Sequence, residues 1–218
     1  MKKLAILISL FLNSVLFCQE TNNVKPFTNI NLGILGGGNF NSIPTLGGSL
    51  ILEGKSNISS QSILKISIGF SSLFENNSYQ IKSYSHFIID NIEGYQLTTY
   101  DIDKIQYSII PINLGFEYVF SNNQISPFGI IELGYNFYSG EEQVAMSTSG
   151  QYFNTLEEVP NNYRNPAPKT FDDNSYSLGL GMGIKYKLTL NMDLNIRYMF
   201  RYNDKILNSN QILFGISF

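Results

Sequence analysis

The strongest constraint in this sequence is a period-two alternation of apolar and polar side chains, sustained over long stretches. Alternation of this kind marks strands with one apolar and one polar face. Eight stretches carry it. Their apolar faces are Ile30, Leu32 and Ile34; Leu50 and Leu52; Leu64, Ile66, Ile68 and Phe70; Ile112, Leu114, Phe116, Tyr118 and Phe120; Ile131, Leu133, Tyr135 and Phe137; Tyr176, Leu178, Leu180, Met182, Ile184 and Tyr186; Leu194, Ile196, Tyr198, Phe200 and Tyr202; and Ile212, Phe214, Ile216 and Phe218. Several stretches span nine residues or more, against about five or six in soluble proteins. That length suits a tilted membrane-spanning strand of roughly 9 to 11 residues. The alternation changes phase near Pro111, which cannot donate to a ladder, so a bulge is expected there.

Connection lengths alternate with strand parity. Long connections follow the first, third and fifth stretches, over 36–46, 72–105 and 139–174, while tight turns follow the fourth and sixth, over 121–125 and 189–191. Long loops on one side and short turns on the other are expected of an outer-membrane barrel. Side-chain size then orients the wall. The apolar faces carry Ile, Leu, Met, Phe and Tyr, whereas the opposite faces are largely Gly, Ser and Asn. An eight-stranded barrel has an interior only just wide enough for side chains to fill, so bulky-outward and small-inward is the arrangement that closes. The inward charges read as Glu53, Glu117, Glu132 and Asp193 against Lys65, Lys185, Arg197 and Arg201, a set that must pair once buried. Aromatics toward strand ends, such as Tyr118, Tyr138 and Tyr202, suggest interfacial girdles. A soluble exported β-sandwich would leave the same charges solvated, but its glycine-rich exposed faces would form strands poorly.

Composition supports this division. The 218 residues include 18 Gly, 14 Tyr and 16 Phe, and only 14% are charged. With 14 basic residues against 17 acidic ones, a basic nucleic-acid binder is not expected. One Cys and one His exclude a disulfide scaffold and a Cys/His metal cage, and no cofactor is expected. Lys2 and Lys3, the apolar run Leu4 to Leu12 and the approach to Cys18 form a cleavable signal peptide over 1–18. Bulky Phe17 stands where lipoprotein processing requires a small residue, so lipidation is not expected. Residues 19–26 would be a short periplasmic segment and 27–218 the barrel.

The last strand places apolar side chains at Ile212, Phe214, Ile216 and the terminal Phe218. This resembles the signal by which the barrel-assembly machinery recognises its substrates. With the signal peptide and eight alternating strands, the chain resembles the small bacterial outer-membrane barrels of the OmpX, OmpA-barrel and PorT-like types. The segment Ile110 to Phe116 is similar to a mid-barrel strand of the PorT-like branch. The resemblance implies an eight-stranded antiparallel transmembrane barrel in the outer membrane of a Gram-negative bacterium, in contact with outer-membrane lipid. The OmpA type continues into a peptidoglycan-binding domain, whereas this sequence stops at Phe218, so no cell-wall tether is expected.

Function is then expected in the loops or in the barrel as scaffold. The segments 72–105 and 139–174 carry net charges of -3 and -4, and no spacing of their acids matches a calcium loop. Tyr79 to Ile89 and Leu97 to Tyr107 read as a hairpin above the membrane, turning at Asn91 to Gly94, while 139–174 reads as irregular. These loops are the expected contact with an extracellular or envelope protein, in adhesion, surface protection or a secretion complex. The rival is a lipid A acylase or deacylase built on His86, Ser85 and Asp90. Adjacent strand residues face opposite ways, so Ser85 and His86 are not expected to form a nucleophile and base.

Overall fold

A computed structural model describes residues 30–40, 47–89, 92–163, 170–189 and 192–218. The signal peptide and the segment 19–26 therefore lie outside the described residues. Eight antiparallel strands form a closed barrel in chain order. They are β1 (Ile30–Phe40), β2 (Gly47–Asn57), β3 (Ser62–Ile89), β4 (Ile92–Val119), β5 (Ile125–Phe153), β6 (Thr170–Thr189), β7 (Met192–Asn203) and β8 (Ser209–Ser217). β8 closes the ring on β1 from Gly33↔Ser217 to Phe40↔Asn210. Leu32 and Phe218 extend that seam by exchanging two backbone hydrogen bonds of 2.8 Å.

The alternation sorts the side chains as their size requires. Leu52, Ile66, Leu114, Leu133, Leu180, Ile196 and Phe214 all face outward and are exposed. This continuous apolar wall would be a liability in water and has the character of a lipid-facing surface. No helix among the described residues is long and apolar enough to cross a membrane. Inward glycines leave room for the larger side chains paired with them on the adjacent strands. A Cβ on Gly134 would collide with Ser177 and Asn113, and one on Gly181 with the Met199 sulfur.

Three expectations are corrected. First, no bulge occurs at Pro111: Ile112 pairs with Ile68 and Ile109 with Ser71 in one register, and Pro111 pairs with Asn136. Around Pro111, pairing toward β3 lapses at Ile110 and Pro111 without a change of register. The inward row of β4 runs unbroken through Val119, Glu117, Gly115, Asn113, Pro111, Ile109, Tyr107 and Ile105, all buried. What changes at Pro111 is the interior, from polar to apolar. Second, that interior is not only small and polar. Leu35, Ile51, Val119, Phe128, Ile130, Met199 and Leu213 form one buried cluster. Leu73, Ile105, Tyr107, Ile109, Tyr138 and Ile206 form another toward the long-loop end. Tyr138, expected in the outer belt, thus lies inside, together with Phe128 and Tyr107.

Third, much of the expected loop sequence is strand. The hairpin expected of Tyr79–Ile89 and Leu97–Tyr107 is present and extends further, since β3 and β4 stay paired from Ser62↔Tyr118 up to Ile89↔Ile92, with one register shift between Asn76 and Tyr79. Gly94 belongs to the ladder opposite Phe87, so it is not part of the turn. β5 continues the sheet to Phe153, and the irregular part of its connection shrinks to a 3-10 turn at Leu156–Glu158 and its flanks. At about 3.3 Å per residue, strands of 28 residues run roughly three times the length a bilayer needs. The surplus projects at the long-loop end as a three-stranded sheet.

Gly181→Val places a branched side chain against Met199 and the Tyr198 carbonyl, which is backbone and cannot give way. It is expected to lower the unfolding free energy of the detergent-refolded barrel by about 1–3 kcal/mol or more. Leu180→Val, one residue away on the outer face, is expected to change the urea midpoint little.

Candidate functional site

Charged side chains from six strands meet inside the barrel. Glu53 and Lys55 come from β2, Lys65 from β3, Glu117 from β4, Glu132 from β5, Lys185 from β6, and Arg197 and Arg201 from β7, and all are buried. Arg197 Nη1 donates to Glu53 Oε1 at 2.5 Å and lies 3.8 Å from Glu132 Oε1. Arg201 Nη2 donates to Glu132 Oε2 at 2.5 Å, and its Nη1 to Asn113 Oδ1 at 2.9 Å. Lys65 Nζ bridges Glu53 at 3.2 Å and Glu117 at 3.0 Å. Lys55 Nζ lies 3.3 Å from Glu53 Oε2, and Lys185 donates to Glu117. Asn113 Nδ2 donates to Ser67 Oγ at 3.1 Å, and Arg201 Nε to Gln211 Oε1 at 3.0 Å, which carries the network onto β8.

Compared with the eight charges expected inside, the structure brings seven together and replaces one. Asp193 is half-buried at the end of β7 and makes none of the ion pairs of this network. Lys55 takes part in its place. The reason is register: Lys55 pairs opposite Lys65 well within the β2–β3 ladder, whereas Asp193 pairs with Ser217 and Lys187 at the strand ends. Lys55 was legible, since it keeps the parity of Glu53, but Gly54 interrupts the apolar face and made the strand look finished. Above the network a cavity of about 20 Å³ has a mixed lining, polar at Asn39, Asn136, Arg201 and Gln211 and apolar at Ile51, Leu73, Ile109 and Pro111. That is room for roughly one water.

At the long-loop end, the Asn174 backbone N–H and the Lys205 ammonium hold the Asp173 carboxyl below the usual carboxylate range. Lys82 Nζ lies 5.8 Å above the Tyr163 ring, so the segment after β5 turns back onto the projecting sheet. His86 sits on that sheet opposite Tyr95, with ring centroids 5.1 Å apart. Its Nε2 is 2.7 Å from Glu93 Oε1, and both side chains are exposed. Ser85 pairs opposite Gln96 on the other face, and Asp90 lies outside the described residues. The described residues around His86 therefore contain a surface His–Glu pair without a nucleophile. Ile212, Phe214, Ile216 and Phe218 form the outward, exposed row of the closing strand.

Glu132→Gln removes the counter-charge of Arg201 while leaving both arginines buried. A loss of about 3–5 kcal/mol in unfolding free energy is expected, read from urea unfolding in detergent. Lys205→Ala, at the exposed rim, is expected to leave the midpoint unchanged.

No family model matches this sequence, and none of the curated proteins matches it either. Among solved structures, it is similar to the Neisserial surface protein A, at 13% identity and a TM-score of 0.49 over 86% of this chain and 94% of that one. It is also similar to the N-terminal β-barrel domain of Pseudomonas aeruginosa OprF, at 12% identity and a TM-score of 0.46 over 86% and 96%. The attachment invasion locus protein Ail of Yersinia pestis follows, at 11% identity and a TM-score of 0.45 over 87% and 96%. The closed eight-stranded antiparallel barrel of this chain rests on its own strand pairing, from β1 round to β8.

Proposed function

We propose that this protein is an integral outer-membrane barrel of a Gram-negative bacterium whose role is interaction, carried by the sheet that β3, β4 and β5 raise beyond the membrane. The short turns and both strand termini then face the periplasm, and the row ending at Phe218 serves as the assembly signal. The filled interior supports a scaffold over a porin, since wide aqueous channels belong to much larger barrels.

The observation that carries this reading is the outer edge of β5. β6 pairs with β5 only as far as Glu141↔Thr170, and no described strand pairs with that side over Val144 to Tyr152. An unpaired edge is a template for strand addition, and proteins usually blunt such edges with charge or proline. The opposite edge, on β3, carries Lys82 and His86. By contrast, Val144 to Phe153 holds no charge and no proline, and Val144, Met146 and Tyr152 are exposed. Such an edge suits an extended segment of a partner protein, with backbone hydrogen bonds supplying affinity and the exposed side chains selectivity.

Cells displaying the protein are expected to attach to at least one surface in a panel of immobilised extracellular-matrix proteins and host cells. The double variant Met146→Lys, Thr148→Lys is expected to reduce that attachment at least tenfold without altering heat-modifiable migration. Attachment conferred equally by wild type and variant, or by neither, excludes the edge as the docking element. For the enzymatic rival, mass spectrometry of lipid A from cells lacking the protein is expected to show unchanged acylation.

A further inference from the structure

The short-turn end of the barrel opens into a vestibule of about 710 Å³, whose wall includes Lys55, Lys185 and Lys187, with Asp193 the one acid among its described lining residues. We propose that this vestibule is a binding site for phosphate-type oxyanions.

Charge balance supplies the first reason. Among the described residues, five cations are buried in the barrel, Lys55, Lys65, Lys185, Arg197 and Arg201, against three carboxylates, Glu53, Glu117 and Glu132. Each carboxylate is shared between at least two cations, so the set retains a surplus of two positive charges. Two members of that set, Lys55 and Lys185, line the vestibule. Lys187 joins them at the rim, where it donates to the Asn122 carbonyl at 3.1 Å, a bond that uses one donor without neutralising the ammonium. A concave site of one sign with low-dielectric walls concentrates its field on the opening, and lysine binds phosphate as a point charge.

The neutral donors supply the second reason. Ser217 Oγ accepts from Lys55 Nζ at 2.5 Å, which leaves the Ser217 hydroxyl hydrogen to donate. Asn31, Asn57 and Ser60 line the same vestibule. Hydroxyl and amide donors beside ammonium groups suit an anion with several oxygens better than a monatomic one. The phosphate can be free or the headgroup of an inner-leaflet phospholipid.

The test uses the full mature barrel refolded in an uncharged detergent and titrated calorimetrically with inorganic phosphate and pyrophosphate, with chloride holding ionic strength constant. Saturable binding is expected. Lys187→Gln should weaken it and Asp193→Asn should tighten it, each by about threefold, the scale of one exposed charge interaction. Both positions lie outside the buried network, and heat-modifiable migration checks that the variants fold. In nanodiscs, loss of phosphate binding when phosphatidylglycerol replaces part of the phosphatidylcholine assigns the site to lipid headgroups. Retention of binding assigns it to free phosphate. Absence of saturable binding in detergent, or binding that neither substitution alters, overturns the proposal.

Discussion

Closure of the sheet is the constraint on which the rest of the structure depends. In a hydrocarbon environment no water satisfies an open strand edge, so a spanning sheet must pair its last strand with its first. The seam between β1 and β8 does this from Phe40 to Leu32, and the terminal residue itself takes part. Once eight strands are closed, the interior has a small fixed width, and every inward position must be filled without excess. Glycines at 134, 181 and 183 stand where the opposing Asn113, Met199 and Phe128 need the space. The low charge and high aromatic and glycine content follow from that geometry.

The buried ionic network acts within this constraint. It joins β2 through β7 directly and reaches β8 through Gln211 and Ser217. Ion pairs of this kind need not add net stability over a well-packed apolar core. They do discriminate between registers, because a one-residue slip would turn a strand's charges outward into lipid and its Leu and Ile rows inward. Glu53, Glu117 and Glu132 each bind cations from other strands, so a slip in any one strand would strand several charges at once. The apolar cluster around Leu73, Tyr107 and Tyr138 then covers the network from the long-loop side. The same strands continue into the projecting sheet, so the rigid barrel sets the orientation of the proposed docking edge.

Legibility in the sequence followed the strength of the alternation. β6 alternates without exception from Ser175 to Tyr186, so its faces could be read directly, although the strand begins earlier, at Thr170, within the segment read as a loop. Glu117, Glu132, Arg197 and Arg201 were found inside because each stands between two outward apolar residues. Lys55 escaped notice because Gly54 left no apolar side chain to mark the outward position. Pro111 misled for the opposite reason: the apolar pattern does change phase there, yet the backbone does not, because the barrel interior itself becomes apolar. The hairpin within 72–105 was legible from its Tyr, Ile and Thr content and its turn residues, whereas 139–153 read as irregular because both of its faces are polar or mixed.

The sequence by itself determined the number of spanning strands, their outward faces and the inward placement of most of the charges, because a period of two assigns each side chain to one of two sides. The tertiary structure decided which charges meet, since Arg197 finds Glu53 across the ring and not along its own strand. It also decided that β3, β4 and β5 continue as one sheet, and that Lys55, Lys185 and Lys187 converge on a common mouth. These are matters of register and closure, and pairing between distant strands sets them both.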